Sequence, residues 1–298
     1  MASEGFEQVS AQLVAVIAAV EEGRPRVLTT NGAKSLPAGP LQREHRSMQE
    51  GMRAWVTQQT GCRLGFIEQL YTFADRDRGS GPAIEVSYLG LSAITGDARR
   101  WPGWYDFFPW EDRRESAEMI ETDIAPELEA WSRHVAGEED ARWTRCAVTF
   151  GLEGRRWIPE HTLARYELLY EAGLVPESPR AATSGSQVPG LEMHRHHRRI
   201  LATGIARLRA KIQYQPVIFE LMPDTFTLSQ LQATVEAIAG QRLHTQNFRR
   251  LVAQQELVED SGEVDAATGG RPARLMRFRR TVLDERAAAG TKLPSPRE

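Results

Sequence analysis

The stretch Phe219–Phe278, FELMPDTFTLSQLQATVEAIAGQRLHTQNFRRLVAQQELVEDSGEVDAATGGRPARLMRF, constrains the fold most, because start, stop and turn signals for two short helices and a hairpin crowd into it. Thr227 stands three residues before Gln230, the capping-box spacing that satisfies free backbone N–H groups at a helix start. Leu231, Val235 and Ile238 follow at helical spacing and predict a buried face, and Gly240 predicts the stop. Thr245 is expected to cap a second helix through Asn247, Phe248, Arg249, Arg250 and Val252. Two short helices around a Gly-containing turn form a helix-turn-helix. In the second of them Phe248, Leu251 and Val252 are expected to face inward, whereas His244, Thr245, Gln246, Asn247, Arg249 and Arg250 carry the groups that read base edges and phosphates.

Beyond the helices, Leu257–Glu259 predicts one strand and Ala273–Phe278 the returning one, with Asp265–Pro272 as the loop between them. Such a loop holds neighbouring phosphates or the minor groove in a winged helix. The candidate DNA-binding residues are therefore Thr227, His244, Thr245, Gln246, Asn247, Arg249, Arg250, Arg271 and Arg274. The plain alternative is a helical subdomain with a surface hairpin.

The order TFTLSQLQ, HTQNFRR, GGRPARLMRF resembles the C-terminal domain of the Nudix-related transcriptional regulators of NAD metabolism, most specifically at NFRR and GRPARLMRF. The resemblance covers His194–Arg280, and IEQLYTFADRDR and EVSYLGL extend it upstream. It implies an α+β chain: an N-terminal Nudix-like α/β/α sandwich followed by a winged helix-turn-helix. It also implies a double-stranded DNA operator, a nucleotide effector such as ADP-ribose or another NAD-related nucleotide, a repressor acting as a homodimer, and no bound cofactor.

With 298 residues, 41% of them hydrophobic and 26% charged, the chain is long enough for two globular domains, and its composition does not favour disorder. The net charge of -3 is unevenly spread: Leu191–Glu298 has 17 Lys+Arg against 12 Asp+Glu, leaving 20 against 28 upstream. A basic C-terminal part suits a polyanion. Cys62 and Cys146 form no C-x-x-C pair, so neither a zinc site nor a disulfide framework is indicated, and a cytoplasmic setting is the expectation. Leu13–Val20 is too short for the roughly 18–20 apolar residues of a membrane span and lacks a basic leader.

Taken in order, Leu13, Val14, Val16 and Ile17 predict a central strand partnered by Arg26–Thr30 across Gly23, with a buried helix segment as the alternative. Leu36–Pro40, then a predicted helix Glu44–Thr60 ending at Gly61, form the skeleton of a Nudix box, whose helix presents carboxylates to a divalent metal and a diphosphate. Counted back from Gly61, the Arg-Glu pair of that pattern is Ala54 and Trp55, and its Glu-Glu pair is Gln58 and Gln59; counted from Gly39, the register is one residue out. Amides supply neither the negative charge for Mg²⁺ nor a general base, so the expectation is no metal, no catalytic residue and no hydrolase activity. Glu50 reads as a solvated helix residue. The candidate effector-binding residues are Arg43, Arg46 and Arg53 for a diphosphate and Tyr71 and Phe73 for stacking, against the alternative that the arginines are surface and the aromatics core.

Phe66–Phe73 and Ile84–Leu91 predict a hairpin of a mixed sheet. The aromatic cluster Trp101, Trp104, Tyr105, Phe107, Phe108 and Trp110 reads as core packing before ligand platform. Glu111–His134 predicts a long helix kinked at Pro126, Arg142–Phe150 a strand, and Pro159–Ala172 a helix ending at Gly173. Pro176–Gly190 is linker-like, His194–Gln213 helical with Ile200, Leu201, Ile205, Leu208 and Ile212 on one face, and the tail after Arg286 disordered. His194, His196 and His197 sit among arginines and read as a solvated or phosphate-facing basic patch rather than a metal site. The expected division is a Nudix-like sensor at 1–175, a linker at 176–193, a winged helix at 194–285 and a tail at 286–298. The competing functions are a Nudix-type nucleotide diphosphate hydrolase and a regulator sensing an unrelated ligand.

Overall fold

The computed structural model describes residues 10–77, 81–181, 187–265, 272–279 and 281. Strand β1 (Ser10–Glu21) is the axis of the sheet: it runs parallel to β5 (Gly81–Leu91) on one side and antiparallel to β2 (Arg24–Val27) and β3 (Ala38–Pro40) on the other. Strand β4 (Ile67–Asp77) pairs antiparallel with β5 and closes that edge, giving the order β2-β1-β5-β4.

The unbroken apolar run in β1 follows from its being covered on both faces. Leu13, Ala15, Ile17 and Ala19 meet Met52 and Val56 of helix α1 (Met48–Thr60). Val14, Val16 and Ala18 belong to the opposite core, which includes Ile200, Leu201 and Ile205 of a later long helix. Helix α1 starts at Ser47, whose side chain accepts from Glu50 N–H, and stops at Gly61 in the left-handed conformation. Sheet and flanking helices form the expected α/β/α sandwich.

The Trp101–Trp110 segment contains a one-turn helix α2 (Trp104–Phe107) and buries Trp101, Trp104, Phe107, Phe108 and Trp110, in agreement with core packing. Two expectations downstream are corrected. No single helix spans Glu111–His134: Glu111 ends a 3-10 turn, an irregular stretch follows, and helical structure resumes at Glu118, passing through a π-turn at Ile120–Ile124 into α3 (Ala125–Ser132). The missing N–H of Pro126 breaks the regular ladder, and the wider π-turn absorbs it. Arg142–Phe150 is not a strand but lies in helix α4 (Glu139–Phe150), because Cys146, Ala147 and Phe150 share one buried face and Gly151 ends it at φ 65°.

Helix α5 (Thr162–Ala172) ends at Gly173 as expected. Helix α6 (His197–Lys211) crosses β1 so closely that a Cβ on Gly204 would lie 2.7 Å from Val16. The described parts of the linker-like stretch lie on this body, with Val188 N–H donating to Leu174 O and Glu177 accepting from Arg198.

Helices α7 (Leu228–Ala239) and α8 (Thr245–Gln254) are the expected helix-turn-helix, and Thr227 and Gln230 form the reciprocal capping box. Strands β6 (Val258–Asp265) and β7 (Ala273–Phe278) make the wing, with Phe226 bridging to Met276 and Phe219 stacked on Phe278 at 4.2 Å. The first wing strand is longer than Leu257–Glu259 and reaches Asp265.

The winged helix is fastened to the sandwich. Tyr105 Oη donates to Ala237 O (2.7 Å), Arg209 Nε to Ile238 O (2.9 Å) and Arg113 N–H to Gly240 O (2.8 Å). Beneath them Glu111, fully buried, accepts from Arg165 Nε (2.6 Å) and from Arg209 Nη1, so that one carboxylate joins α5 to α6. Burial alone would raise the Glu111 pKa, but the two guanidiniums outweigh it and hold the carboxyl below its ordinary range.

Candidate nucleic-acid interface and ligand pocket

Helix α8 is held by α7 and leaves its own polar face free. Glu236, buried on α7, accepts from Leu243 N–H (3.0 Å) and from Arg242 (3.1 Å), while Gln232 donates to Leu243 O (3.1 Å) and Thr245 Oγ1 (3.3 Å). These bonds hold the turn, and Val252 anchors the helix by burial. His244 is the N-cap residue and contributes no side-chain capping bond, so the expected cap at Thr245 is corrected: Thr245 is the first helical residue. Leu251 is likewise not inward; it is 48% exposed.

His244, Thr245, Gln246, Asn247, Arg249 and Arg250 are all exposed. Among the described residues, the side chains of Gln246, Asn247, Arg249 and Arg250 enter no hydrogen bond or ion pair. Amides and guanidiniums left unpaired on the first turns of an exposed helix have the chemistry of base and phosphate readout. Thr227 is placed differently: it is buried and its hydroxyl is engaged by the capping box. In the wing, Arg274 reaches Asp260 (3.4 Å) and Arg277 reaches Glu259 (2.7 Å); Arg271 lies outside the described residues.

The sandwich carries a cavity of about 800 Å³ between the β2–β3 loop, the end of α1, the segment Asp97–Arg100 and the start of α6. Its loop wall turns tightly at Asn31 (φ 52°), Gly32 (φ 65°) and Ala33 (φ 70°). The loop is tied to α6 by Leu36 N–H donating to His197 Nδ1 (2.8 Å) and by His194 N–H donating to Lys34 O (2.8 Å). Burial, reinforced by the neighbouring Arg195, pushes the His197 pKa down to about 4, which keeps Nδ1 an acceptor. Opposite, Arg99 forks onto Asp97 and holds that carboxyl below its usual range, and Arg100 Nη1 donates to Gln59 O (2.7 Å). The lining is hydroxyl, amide, imidazole and guanidinium, with one carboxylate, Asp97, neutralised by Arg99, a mixture that suits a polar anionic ligand.

The five candidate effector residues do not line this cavity. Arg43 and Arg46 are exposed, Arg53 donates to Leu64 O and to Gly65 O (2.9 Å), Tyr71 is 58% exposed, and Phe73 is a core residue under Arg199. Tyr71 and Phe73 do meet each other at 4.9 Å. Sequence reasoning missed Thr29, Asn31, Ser35, Asp97, Arg99 and Arg100. The available signals were the turn residues Asn31-Gly32 and the pair Arg99-Arg100 after Gly96-Asp97. Of the basic patch, His194, Arg195 and His197 all line the cavity, and His197, buried, is also bonded to the loop.

The Nudix fold implies a divalent metal on α1, and the residues present do not fit one. Gln59 Nε2 donates to Ala38 O (2.7 Å) and its Oε1 accepts Ala38 N–H (3.2 Å), while Trp55 Nε1 donates to Pro40 O (2.9 Å). The carboxylate of Glu50 accepts from Arg46 N–H (3.2 Å). Among the described residues no group of three or more His, Cys, Asp or Glu is placed to hold a metal.

Sheet, flanking helices, helix-turn-helix and wing define a two-part class: a Nudix-like sandwich bearing a C-terminal winged helix. Residues 218–278 match the family of the NrtR DNA-binding winged helix domain. The chain is 38% identical over 88 residues to the ADPR responsive transcriptional repressor NtrR of Acinetobacter baylyi, an alignment that covers 30% of this chain and 35% of that relative. Shewanella oneidensis NrtR in complex with a 27mer DNA superposes with a TM-score of 0.52 at 18% identity, over 92% of this chain and 95% of the other. A MutT/nudix family protein from Enterococcus faecalis does so with a TM-score of 0.51 at 16% identity, over 92% and 89%. The resemblance to the Nudix-related regulators is thus met by sequence in the winged helix and by fold along nearly the whole chain.

Proposed function

We propose that the protein is a DNA-binding transcriptional repressor whose Nudix-like sandwich senses a nucleotide of the ADP-ribose class. The observation that carries the reading is the exposed, unpaired face of α8, Gln246, Asn247, Arg249 and Arg250, presented by a winged helix of the NrtR type. Arg274 and Arg271 would add phosphate contacts from the wing, whereas Thr227 acts through the helix it caps. A matched relative is named as an ADPR responsive repressor, and a superposable NrtR was crystallised on DNA; both support the reading.

The cavity of about 800 Å³ is the proposed effector seat, with Arg99, Arg100 and His194 towards the diphosphate and Thr29, Asn31 and Ser35 towards ribose hydroxyls. Arg43, Arg46, Arg53, Tyr71 and Phe73 lie outside it and have no part in this proposal. The chain is not a hydrolase in this reading, since Ala54, Trp55, Gln58 and Gln59 occupy the box positions that would carry carboxylates and their arginine. The regulated genes would concern NAD metabolism, and a homodimer would read a two-fold operator. The functional division falls after α6, because α6 packs on the sheet and lines the cavity while the matched winged helix begins at residue 218.

The mechanism is a difference in DNA affinity between free and effector-bound states. The test is fluorescence anisotropy of labelled upstream DNA titrated with the full chain at fixed salt, with and without ADP-ribose and NAD. Saturable binding shifted by one of them is expected. Binding indifferent to both nucleotides would remove the nucleotide sensor, and no specific binding would remove the reader.

A further inference from the structure

We infer that helix α1 has exchanged the metal-holding role of the Nudix box for a lock on strand β3, leaving a cavity that takes its ligand without a divalent cation. The last clause rests on the effector seat proposed above; the lock does not.

Trp55 and Gln59 stand four residues apart and so on one face of α1. Both reach the same three-residue strand. The Trp55 indole covers Gly39 so closely that a Cβ there would collide with it, and its N–H donates to Pro40 O. Gln59 pairs with both backbone groups of Ala38, as a neighbouring strand would. That double pairing needs a donor and an acceptor on one side-chain head, which an amide has and a carboxylate lacks. A glutamate at 59 would keep the bond from Ala38 N–H but set its second anionic oxygen against Ala38 O. The glutamine is therefore the residue the contact demands, rather than a carboxylate that has merely been lost.

The lock bears directly on the cavity, whose lining includes both Ala38 and Gln59. Strand β3 also pairs with Gln12–Val14 of β1, so α1 and β1 hold it from two sides. The remaining carboxylate of the helix, Glu50, is turned to the backbone N–H of Arg46, just ahead of the helix. A hard cation that prefers anionic oxygen ligands finds none offered on the face that meets β3.

The first test is thermal unfolding of the full chain with Gln59→Glu and Gln59→Ala from pH 5 to pH 8. At pH 7 the glutamate variant should melt below the alanine variant and roughly 3–6 °C below wild type. Its folded-state pKa is raised, so the deficit should close towards pH 5, where the protonated acid regains a donor for Ala38 O. Equal melting of Gln59→Glu and wild type at pH 7 would overturn the lock. The second test is calorimetric titration of ADP-ribose with Mg²⁺ and with EDTA, where affinities should agree within about twofold. A tenfold tightening of ADP-ribose binding to wild type by Mg²⁺ would overturn the metal-free cavity. Absence of ADP-ribose binding in both buffers would overturn the choice of effector alone, and the melting series would still decide the lock.

Discussion

Helices α1 and α8 are of similar length and both carry several amides and at least one arginine, yet they use those groups in opposite ways. On α1, Arg53, Trp55 and Gln59 are all satisfied by backbone carbonyls of the same body. On α8, Gln246, Asn247, Arg249 and Arg250 stand in solvent with no partner among the described residues. A polar group paired within the fold contributes to stability and is removed from recognition; an unpaired one contributes little to stability and remains available. The same residue types therefore mark a structural joint in one helix and, in the other, the solvent-facing surface proposed to read DNA.

The largest expected effect comes from breaking the most deeply engaged group. Glu111→Ala leaves Arg165 and Arg209 buried without their carboxylate and should cost about 3–5 kcal/mol of unfolding free energy, measured by urea denaturation. Next comes acid: the folded-state pKa of His197 is lowered to about 4 from its ordinary value of 6.5, so the unfolded chain binds more protons between those values. Stability should therefore fall as pH drops from about 6.5 to 4, by up to about 3 kcal/mol. His197→Asn, which keeps an acceptor for Leu36 N–H without titrating, should flatten that part of the pH profile.

Arg249→Ala and Arg250→Ala should show the reverse behaviour: each weakens operator binding by about 1–3 kcal/mol if it contacts a base, with stability changed by less than about 0.5 kcal/mol. Unchanged operator affinity in both would withdraw the contrast between the two helices. The smallest effect is Thr227→Ala, expected to lower unfolding free energy by about 1 kcal/mol through the capping box, read by thermal melting. A larger loss of DNA affinity than of stability in that variant would move Thr227 to the reading surface.

The capping box, the Gly240 stop, the β7 strand and the box helix ending at Gly61 were legible because each is a local signal, resolved within a few residues. The strand expected at Arg142–Phe150 failed because Cys146, Ala147 and Phe150 satisfy a helical period that β-branched and aromatic composition obscured. The cavity was not legible. Leu36 and His197 are 161 residues apart, and nothing in either neighbourhood announces the other. The arginines expected there were chosen by proximity to the box, whereas Arg99 and Arg100 arrive by way of the turn after β5.

Gly240 has a consequence beyond ending a helix. Its φ of 68° already disfavours other residues, and a Cβ would strike Glu111 O, so the turn of the winged helix sits against the sandwich with no room for a spacer. A reader tethered by a flexible strap can search for its half-site; one seated this way inherits its bearing from the sandwich beneath it. In an assembly of two copies, the distance between recognition helices, and with it the operator spacing that is tolerated, would then be a property of the sandwich, and any ligand that reshapes the sandwich would act as a change of ruler.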